Sequence, residues 1–253
     1  MNSRLLAFGS LSLVGALSIG ALAQAQIVPA GTPDLGGLYT GRTCLSGNSE
    51  VCPEMSREGA EQFLTARARA FADAFDELAA PKYDCGPATL PGLFGDPYTF
   101  QIEQLADRVV FTYEKDDIVR TIWLDGLADP EPGAGAFFLH GYSKGRYEDD
   151  ALVVETSRFL FDPAGLAGDY VSAPSSTQKR LLERYWREGN NLRMELRVED
   201  PIFLLAPIEY VMQWRPSEGP LSLPWDCDPV AAQRNLRLRP TKYPQDPPVV
   251  RRN

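Results

Sequence analysis

The sequence predicts an all-β protein, an antiparallel meander closed into a barrel of about eight strands, with one flanking N-terminal helix. From Phe100 onward, apolar residues recur with a period of two, as in half-buried strands. Polar turn signals, KDD, DG, EDD and EGN, separate these runs, and no βαβ alternation is present. Closure would remove exposed strand edges. A two-sheet sandwich is the alternative.

Residues 1–25 have the features of an export signal. An arginine near the start is followed by a short apolar run and then by the small-residue sites of ALAQAQ. We expect cleavage after Ala23 or Ala25 and a periplasmic or secreted protein. A retained anchor helix is the alternative, and we expect no membrane span after cleavage because no later apolar stretch is long enough.

The remaining chain suits one domain, residues 26–238, followed by a flexible tail, residues 239–253, rich in proline and charge. The net charge of −9 and a sequence pI near 4.8 make nucleic acid an unsuitable partner, because phosphate binding needs a positive field. Composition leaves the oligomeric state open.

Four cysteines in an exported chain predict disulfides, and three connectivities are possible. We expect Cys44–Cys52 and Cys85–Cys227 bridges. A zinc site is the rival interpretation, but no C-x-x-C pair exists and the chain has one histidine, so we expect no metal. We expect no cofactor either, since neither a P-loop nor a dinucleotide fingerprint is present.

A helix is predicted over residues 56–80. Leu64, Ala68, Phe71, Phe75 and Leu78 recur at steps of four and three, which places them on one face. Ser56 would cap its start and Pro81 would end it.

The strands follow from alternation along the rest of the chain. In DRVVFTYE, Val109, Phe111 and Tyr113 share a face of the predicted strand. In DDIVRTIWLDG, Arg120 lies between Ile118 and Ile122 on the same face of the next strand. NNLRMELRVED and PIEYVMQWR continue the pattern, the latter ending on Trp214. LLERYW must turn either Glu183 and Tyr185, or Arg184 and Trp186, toward the apolar side. IVPAGTPDLGGLYTG is expected to be an extended segment.

The segment SKGRYEDDALVVETSRF, residues 143–159, resembles the motif S-x-G-R-W-E-G-D-x-L-V-V-D-T-x-x-F of a large, poorly characterised family of exported bacterial proteins. The resemblance extends to DCGPATLP at residues 84–91 and to VEDP at residues 198–201. Tyr147 stands in place of the family's Trp, and Tyr142 stands where its members often have His. The resemblance implies an exported, β-rich fold similar to a lipocalin and no particular reaction.

The candidate site residues come from this motif and the predicted barrel interior. His140, Tyr142 and Arg146 alternate onto one side of a strand, where they would line one end of a barrel pocket or form a charged surface with Lys144. Glu183, beside the apolar core, would act in acid–base chemistry or pair with Arg120 or Arg146.

Two functions follow from these residues. The first is binding of a small apolar or aromatic molecule, with Arg146, Arg120, Tyr185 and Trp214 as ligand-binding residues. The alternative is a cofactor-independent lyase, isomerase or hydrolase acting on such a molecule, in which His140, Tyr142 and Glu183 are the catalytic residues. A purely structural role in the cell envelope also remains open.

Overall fold

The computed structural model describes residues 31–45, 61–75, 81–124, 131–166 and 173–232. In this part of the chain, nine strands form a closed barrel, and the last strand pairs with the first. The strands are β1 (Gly37–Cys44), β2 (Phe100–Gln104), β3 (Arg108–Tyr113), β4 (Val119–Leu124), β5 (Tyr142–Glu148), β6 (Ala151–Ser157), β7 (Arg180–Glu188), β8 (Asn191–Glu199) and β9 (Ile208–Pro216). The predicted signal peptide, residues 1–25, and tail, residues 239–253, lie outside the described residues.

The strand count corrects the prediction of eight strands. The additional strand is β1, whose sequence predicts only an extended segment. Its pairing with β9 shifts register between Thr40 and Thr43, so Tyr39 and Cys44 are both buried although they are five positions apart. A bulge of this kind disrupts the period of two, which is why the pattern does not reveal the strand.

The barrel is mixed, which corrects the prediction of a purely antiparallel meander. β4 and β5 run parallel and pair from Ile122 with Ser143 to Leu124 with Gly145. Gly145 fits this seam closely, because a Cβ atom there would lie 2.6 Å from Cγ2 of Ile122. Every other neighbouring pair in the barrel is antiparallel. The predicted hairpin turns at KDD, EDD and EGN are confirmed. The DG signal, residues 125–126, lies outside the described residues, and the strands before and after it do not form the predicted hairpin because they run parallel.

Aromatic side chains fill much of the barrel interior. The Phe100 ring lies 5.4 Å from the Tyr113 ring and 5.5 Å from the Trp214 ring, and Phe111 lies 5.3 Å from Tyr185, measured between centroids. All of these rings are buried. The interior therefore offers an apolar, polarisable environment to any group that points into it.

The helix is shorter than predicted within the described residues. α1 (Ala66–Ala74) begins after Thr65, whose Oγ1 accepts a hydrogen bond from the Ala68 amide at 3.1 Å. Leu64, predicted to be helical, instead forms a β-bridge with Leu204. Glu61 is still helical, so the competing bridge and the threonine cap interrupt the predicted helix over residues 62–65, and a helix begins again at residue 66. The predicted cap, Ser56, and residues 76–80 lie outside the described part.

The predicted Cys85–Cys227 disulfide is confirmed, and it joins two positions with a sequence separation of 142. It ties the segment before β2 to the segment after β9. The predicted Cys44–Cys52 bridge ends on a residue outside those described. No helix in the described ranges is long and apolar enough to cross a membrane.

Candidate functional site

A buried ion pair lies inside the barrel. β4 points Arg120 inward between Ile118 and Ile122, and β7 points Glu183 inward. Nη1 and Nη2 of Arg120 donate to the two carboxylate oxygens of Glu183 at 2.8 and 2.7 Å. Both residues are almost fully buried, at 3% and 1% exposure. A two-pronged pair of this kind fixes the relative position of both side chains.

Three hydroxyl groups complete the network around this pair. Arg120 donates from Nε to Ser143 Oγ at 3.1 Å and from Nη2 to Thr156 Oγ1 at 2.7 Å. The Tyr185 hydroxyl donates to the Glu183 carboxylate at 2.6 Å. Most polar atoms of the pair are thus satisfied within the protein, as a buried charge requires.

The electrostatics of the network favour a fixed arrangement. Burial lowers the pKa of the Arg120 guanidinium, but the Glu183 carboxylate overrides that effect and raises the pKa above its ordinary value. Burial also raises the pKa of the Tyr185 phenol, and the Glu183 charge raises it further. At neutral pH the guanidinium therefore stays charged and the phenol stays a hydrogen-bond donor.

A small pocket lies at one end of the barrel. Its lining is mainly aromatic, from Phe94, Tyr98, Phe100, Tyr113 and Trp214, with Lys115 and Asp96 beside them. Its volume is about 10 Å³, which accommodates roughly one water molecule. The Phe94 ring also faces the ion pair, since its centroid lies 5.9 Å from Cζ of Arg120. The pocket and the buried network therefore share one wall.

Residues 85–96, which we call the strap, cover this end of the barrel. They contain a 3-10 turn, Gly92–Gly95, that inserts Leu93 and Phe94 into the core. The disulfide at Cys85 holds one end of the strap, and β2 begins four residues beyond the other end.

Four side chains from different parts of the barrel hold the middle of the strap. Asp116 accepts from the Ala88 amide at 3.0 Å, and His140 Nε2 donates to the Ala88 carbonyl at the same distance. Asp162 accepts from the Thr89 hydroxyl. Lys179 donates to the Leu90 carbonyl at 2.6 Å. The segment DCGPATLP, which carries part of the family resemblance, is thus held in place by hydrogen bonds to the rest of the protein.

The structure brings together three of the residues that the sequence singles out. Arg120, Glu183 and Tyr185 form the buried network described above. Trp214 is buried at the aromatic end of the same interior, where it packs on Phe100. Of the two pairings left open for Glu183, the structure contains the one with Arg120.

The remaining candidates do not join this group. His140 is half-buried and holds the strap. Arg146 is exposed on the outer face of β5, where it pairs with Glu148 at 2.6 Å. Tyr142 lies on that outer face and contacts the Phe138 ring at 6.3 Å. The row formed by Tyr142, Lys144 and Arg146 therefore lies on the outer face of the barrel, which matches the charged-surface alternative and not the barrel-pocket one.

Several interior residues are not among the candidates that the sequence pattern indicates. Ser143, Gly145 and Thr156 belong to the motif and face inward, where they contact Arg120 or the parallel seam. The spacing of two positions between Ser143 and Gly145 in the motif is the sequence signal that indicates a shared face of the strand. Phe94 and Lys179 lie in loops, where no periodic pattern distinguishes a buried side chain from an exposed one.

A second, open concavity lies on the outside of the barrel. It has a volume of about 590 Å³ and spans β6 to β9. Its floor includes the exposed Leu182 and the half-buried Val211, and charged side chains such as Arg184, Glu195 and Arg197 surround them. We call this region the outer groove.

Comparisons with known proteins identify no family. Neither the protein-family models nor the curated proteins give a match to the sequence. Among solved structures, wild-type fluorescent protein UnaG is 13% identical, with a TM-score of 0.33, over 72% of this chain and 97% of that one. Two single-substitution mutants of UnaG score 0.36 and 0.35, at 12% and 13% identity. At such low scores, the likeness assigns neither a family nor a ligand to this chain.

Proposed function

We propose that this chain is an exported barrel protein that binds a small apolar or aromatic molecule at the strap end of the barrel. The observation that carries the proposal is the group of aromatic rings converging on the end pocket, with Trp214 and Tyr113 on the barrel wall and Phe94 on the strap. Rings arranged in this way offer a large apolar contact area and a few polar groups for orientation.

Binding requires part of the strap to move away from the end pocket. A pocket of about 10 Å³ is far smaller than the roughly 300–1,000 Å³ of ligand sites. The Phe94 side chain belongs to the strap and not to a barrel strand, so its displacement enlarges the pocket without opening the sheet. An aromatic ligand can then occupy the position that the Phe94 ring leaves.

The buried network defines the preferred chemistry of the ligand. A ring in place of Phe94 would lie about 6 Å from Arg120, within the range of cation–π attraction. Glu183 already matches the Arg120 charge, so a carboxylate on the ligand would have to compete with it. We therefore expect a neutral aromatic molecule to bind more tightly than an otherwise similar acid.

Export is supported by two independent features. Residues 1–25 have the order of charge, apolar run and small residues that a signal peptidase accepts. The Cys85–Cys227 disulfide suits an oxidising compartment. Mass spectrometry of the exported fraction tests this part, because we expect a mature N-terminus at Gln24 or Gln26, whereas an intact Met1 would refute it.

The binding proposal is tested by titrating the protein with N-phenyl-1-naphthylamine, a neutral aromatic probe that fluoresces in apolar surroundings. Phe94→Ala should tighten binding about tenfold by opening the pocket, and Trp214→Leu should weaken it by removing a wall. Phe137→Ala, at a ring that is 44% exposed, is the matched control and should change nothing. If both pocket variants bind like the wild type, or if Leu182→Glu in the outer groove abolishes binding, the proposal is wrong.

The alternative, acid–base catalysis by His140, Tyr142 and Glu183, has no geometric support. His140 is bonded to the strap carbonyl of Ala88, Tyr142 is on the outer face of β5, and Glu183 is held by Arg120 inside the barrel. Three groups that share a proton-transfer task must lie within hydrogen-bond reach of one substrate. We therefore favour binding over catalysis.

A further inference from the structure

The two groups that hold strap carbonyls are both ionisable bases. Lys179 donates to the Leu90 carbonyl and His140 to the Ala88 carbonyl. Both bases come from outside the strap, just before β7 and β5 respectively. If the strap lifts, each base loses its hydrogen bond to the strap and gains access to water.

We propose that the strap is a gate over the barrel end and that its opening is coupled to the uptake of protons by Lys179 and His140. The role as a gate to a ligand site rests on the proposed function. The coupling between opening and protonation depends only on the contacts of the strap.

Lys179 is enclosed when the strap is closed. It is 1% exposed, and Nζ lies 4.3 Å from the centroid of the Phe159 ring and 3.0 Å from the Gly165 carbonyl. Asp162 and Asp200 are the charged groups that favour its ammonium form. Burial outweighs them and lowers the pKa of Lys179 to about 8, from an ordinary value of 10.5.

His140 is in a similar position. Burial lowers the pKa of its imidazole below the ordinary value of 6.5, although the bond to the Ala88 carbonyl raises it. Arg120 and Lys179 are the facing cations and lower the pKa further, whereas Asp116 raises it. The closed strap therefore disfavours the charged form of both bases.

The direction of the pH effect follows from linkage. In the open state both bases are hydrated and their pKa values return toward 10.5 and 6.5, so the open state binds more protons than the closed state. Because opening lets Lys179 take up one proton, the equilibrium constant for opening rises by up to tenfold for each unit that the pH falls between 10.5 and 8. Lys179 contributes no further slope below that range, and His140 adds a second rise in opening below about 6.5.

The strap contains its own reporter of opening. The Ala88 amide donates to the Asp116 carboxylate at 3.0 Å, and this bond joins the strap to the turn between β3 and β4. The bond breaks when the strap lifts, so hydrogen exchange of the Ala88 amide measures the opening equilibrium. Amides in the β7–β8 hairpin report on the barrel itself and serve as the internal reference.

The test is hydrogen exchange of the ligand-free, full chain between pH 5 and 9.5, with each rate divided by the intrinsic rate at that pH. We expect strap opening, relative to the hairpin, to increase about tenfold from pH 9.5 to 8. Lys179→Met should remove this slope whatever it does to the overall level, and His140→Gln, which keeps a neutral donor, should remove only the rise below pH 6.5. Lys144→Met, at a lysine on β5 whose side chain is 40% exposed, is the control and should keep both.

Two results would overturn the inference: strap opening in the wild type that does not vary with pH, or the same slopes in Lys179→Met and His140→Gln as in the wild type. The measurement needs no ligand, so its outcome is separate from that of the binding titration. If the slopes appear but no aromatic probe binds, the proton-coupled strap stands and the proposed function fails. If the probe binds and the slopes are absent, the proposed function stands and the proton-coupled strap fails.

Discussion

The buried ion pair makes a strong prediction about stability. Glu183→Gln keeps the size of the side chain but leaves the Arg120 guanidinium, 3% exposed, without a counter-charge. Removing one partner of a buried pair costs about 3–5 kcal/mol, because the remaining charge is desolvated and unpaired. The free energy of unfolding of a protein domain is about 5–15 kcal/mol, so this loss is a large part of the total stability.

Urea denaturation followed by circular dichroism measures this cost. The corresponding fall in melting temperature is about 6–20 °C, since one kcal/mol shifts a domain of this length by about 2–4 °C. Replacing both partners, with Arg120→Met and Glu183→Leu, should restore most of the loss, because apolar side chains of similar volume need no counter-charge.

The matched control is Glu155→Gln on the outside of the barrel. Glu155 pairs with Arg180, and their side chains are 40% and 57% exposed. Exposed pairs contribute at most about 1 kcal/mol, so this variant should unfold almost like the wild type. If Glu183→Gln costs no more than Glu155→Gln, or if the double replacement is less stable than Glu183→Gln alone, the account of the buried pair is wrong.

Three further predictions use the same denaturation assay. Replacing Cys85 and Cys227 by serine should cost about 5 kcal/mol in the chain-entropy model for a separation of 142 residues, and a loss below about 1 kcal/mol would contradict it. Gly145→Ala should cost about 1–3 kcal/mol because its Cβ would meet Ile122 at 2.6 Å, and an unchanged midpoint would show that the seam adjusts. Asp200→Ala should cost about 3 kcal/mol because this buried carboxylate accepts four hydrogen bonds, whereas Asp200→Glu with wild-type stability would show that their geometry is unimportant.

The strands with a regular period of two could be predicted well from the sequence. β8 alternates through its full length, with Leu192, Met194, Leu196 and Val198 facing inward. Such a pattern arises because one face of the strand packs on a core while the other meets water. β1 could not be recognised, because its bulge places two buried residues at an odd spacing.

The candidate site was predictable only where side-chain direction follows from the strand. Arg120 lies between Ile118 and Ile122 on the face of β4 that points into the barrel. Its burial and its pairing with Glu183 could therefore be predicted as one of two possible arrangements. The direction of β5 could not, because both of its faces carry polar residues: Ser143 points inward and Lys144 outward. The strap was invisible to the pattern, since its role depends on contacts with residues such as Lys179, far away in the chain.

The most direct test of the central claim is to locate a bound aromatic molecule by photo-crosslinking. A small, neutral phenyl diazirine is irradiated with the full chain, and the modified peptides are identified by mass spectrometry. The account predicts saturable modification of the strap around Phe94 and of β9 at Trp214, reduced by excess unlabelled N-phenyl-1-naphthylamine. Saturable modification confined to the outer groove, at Leu182 or Val211, would contradict it.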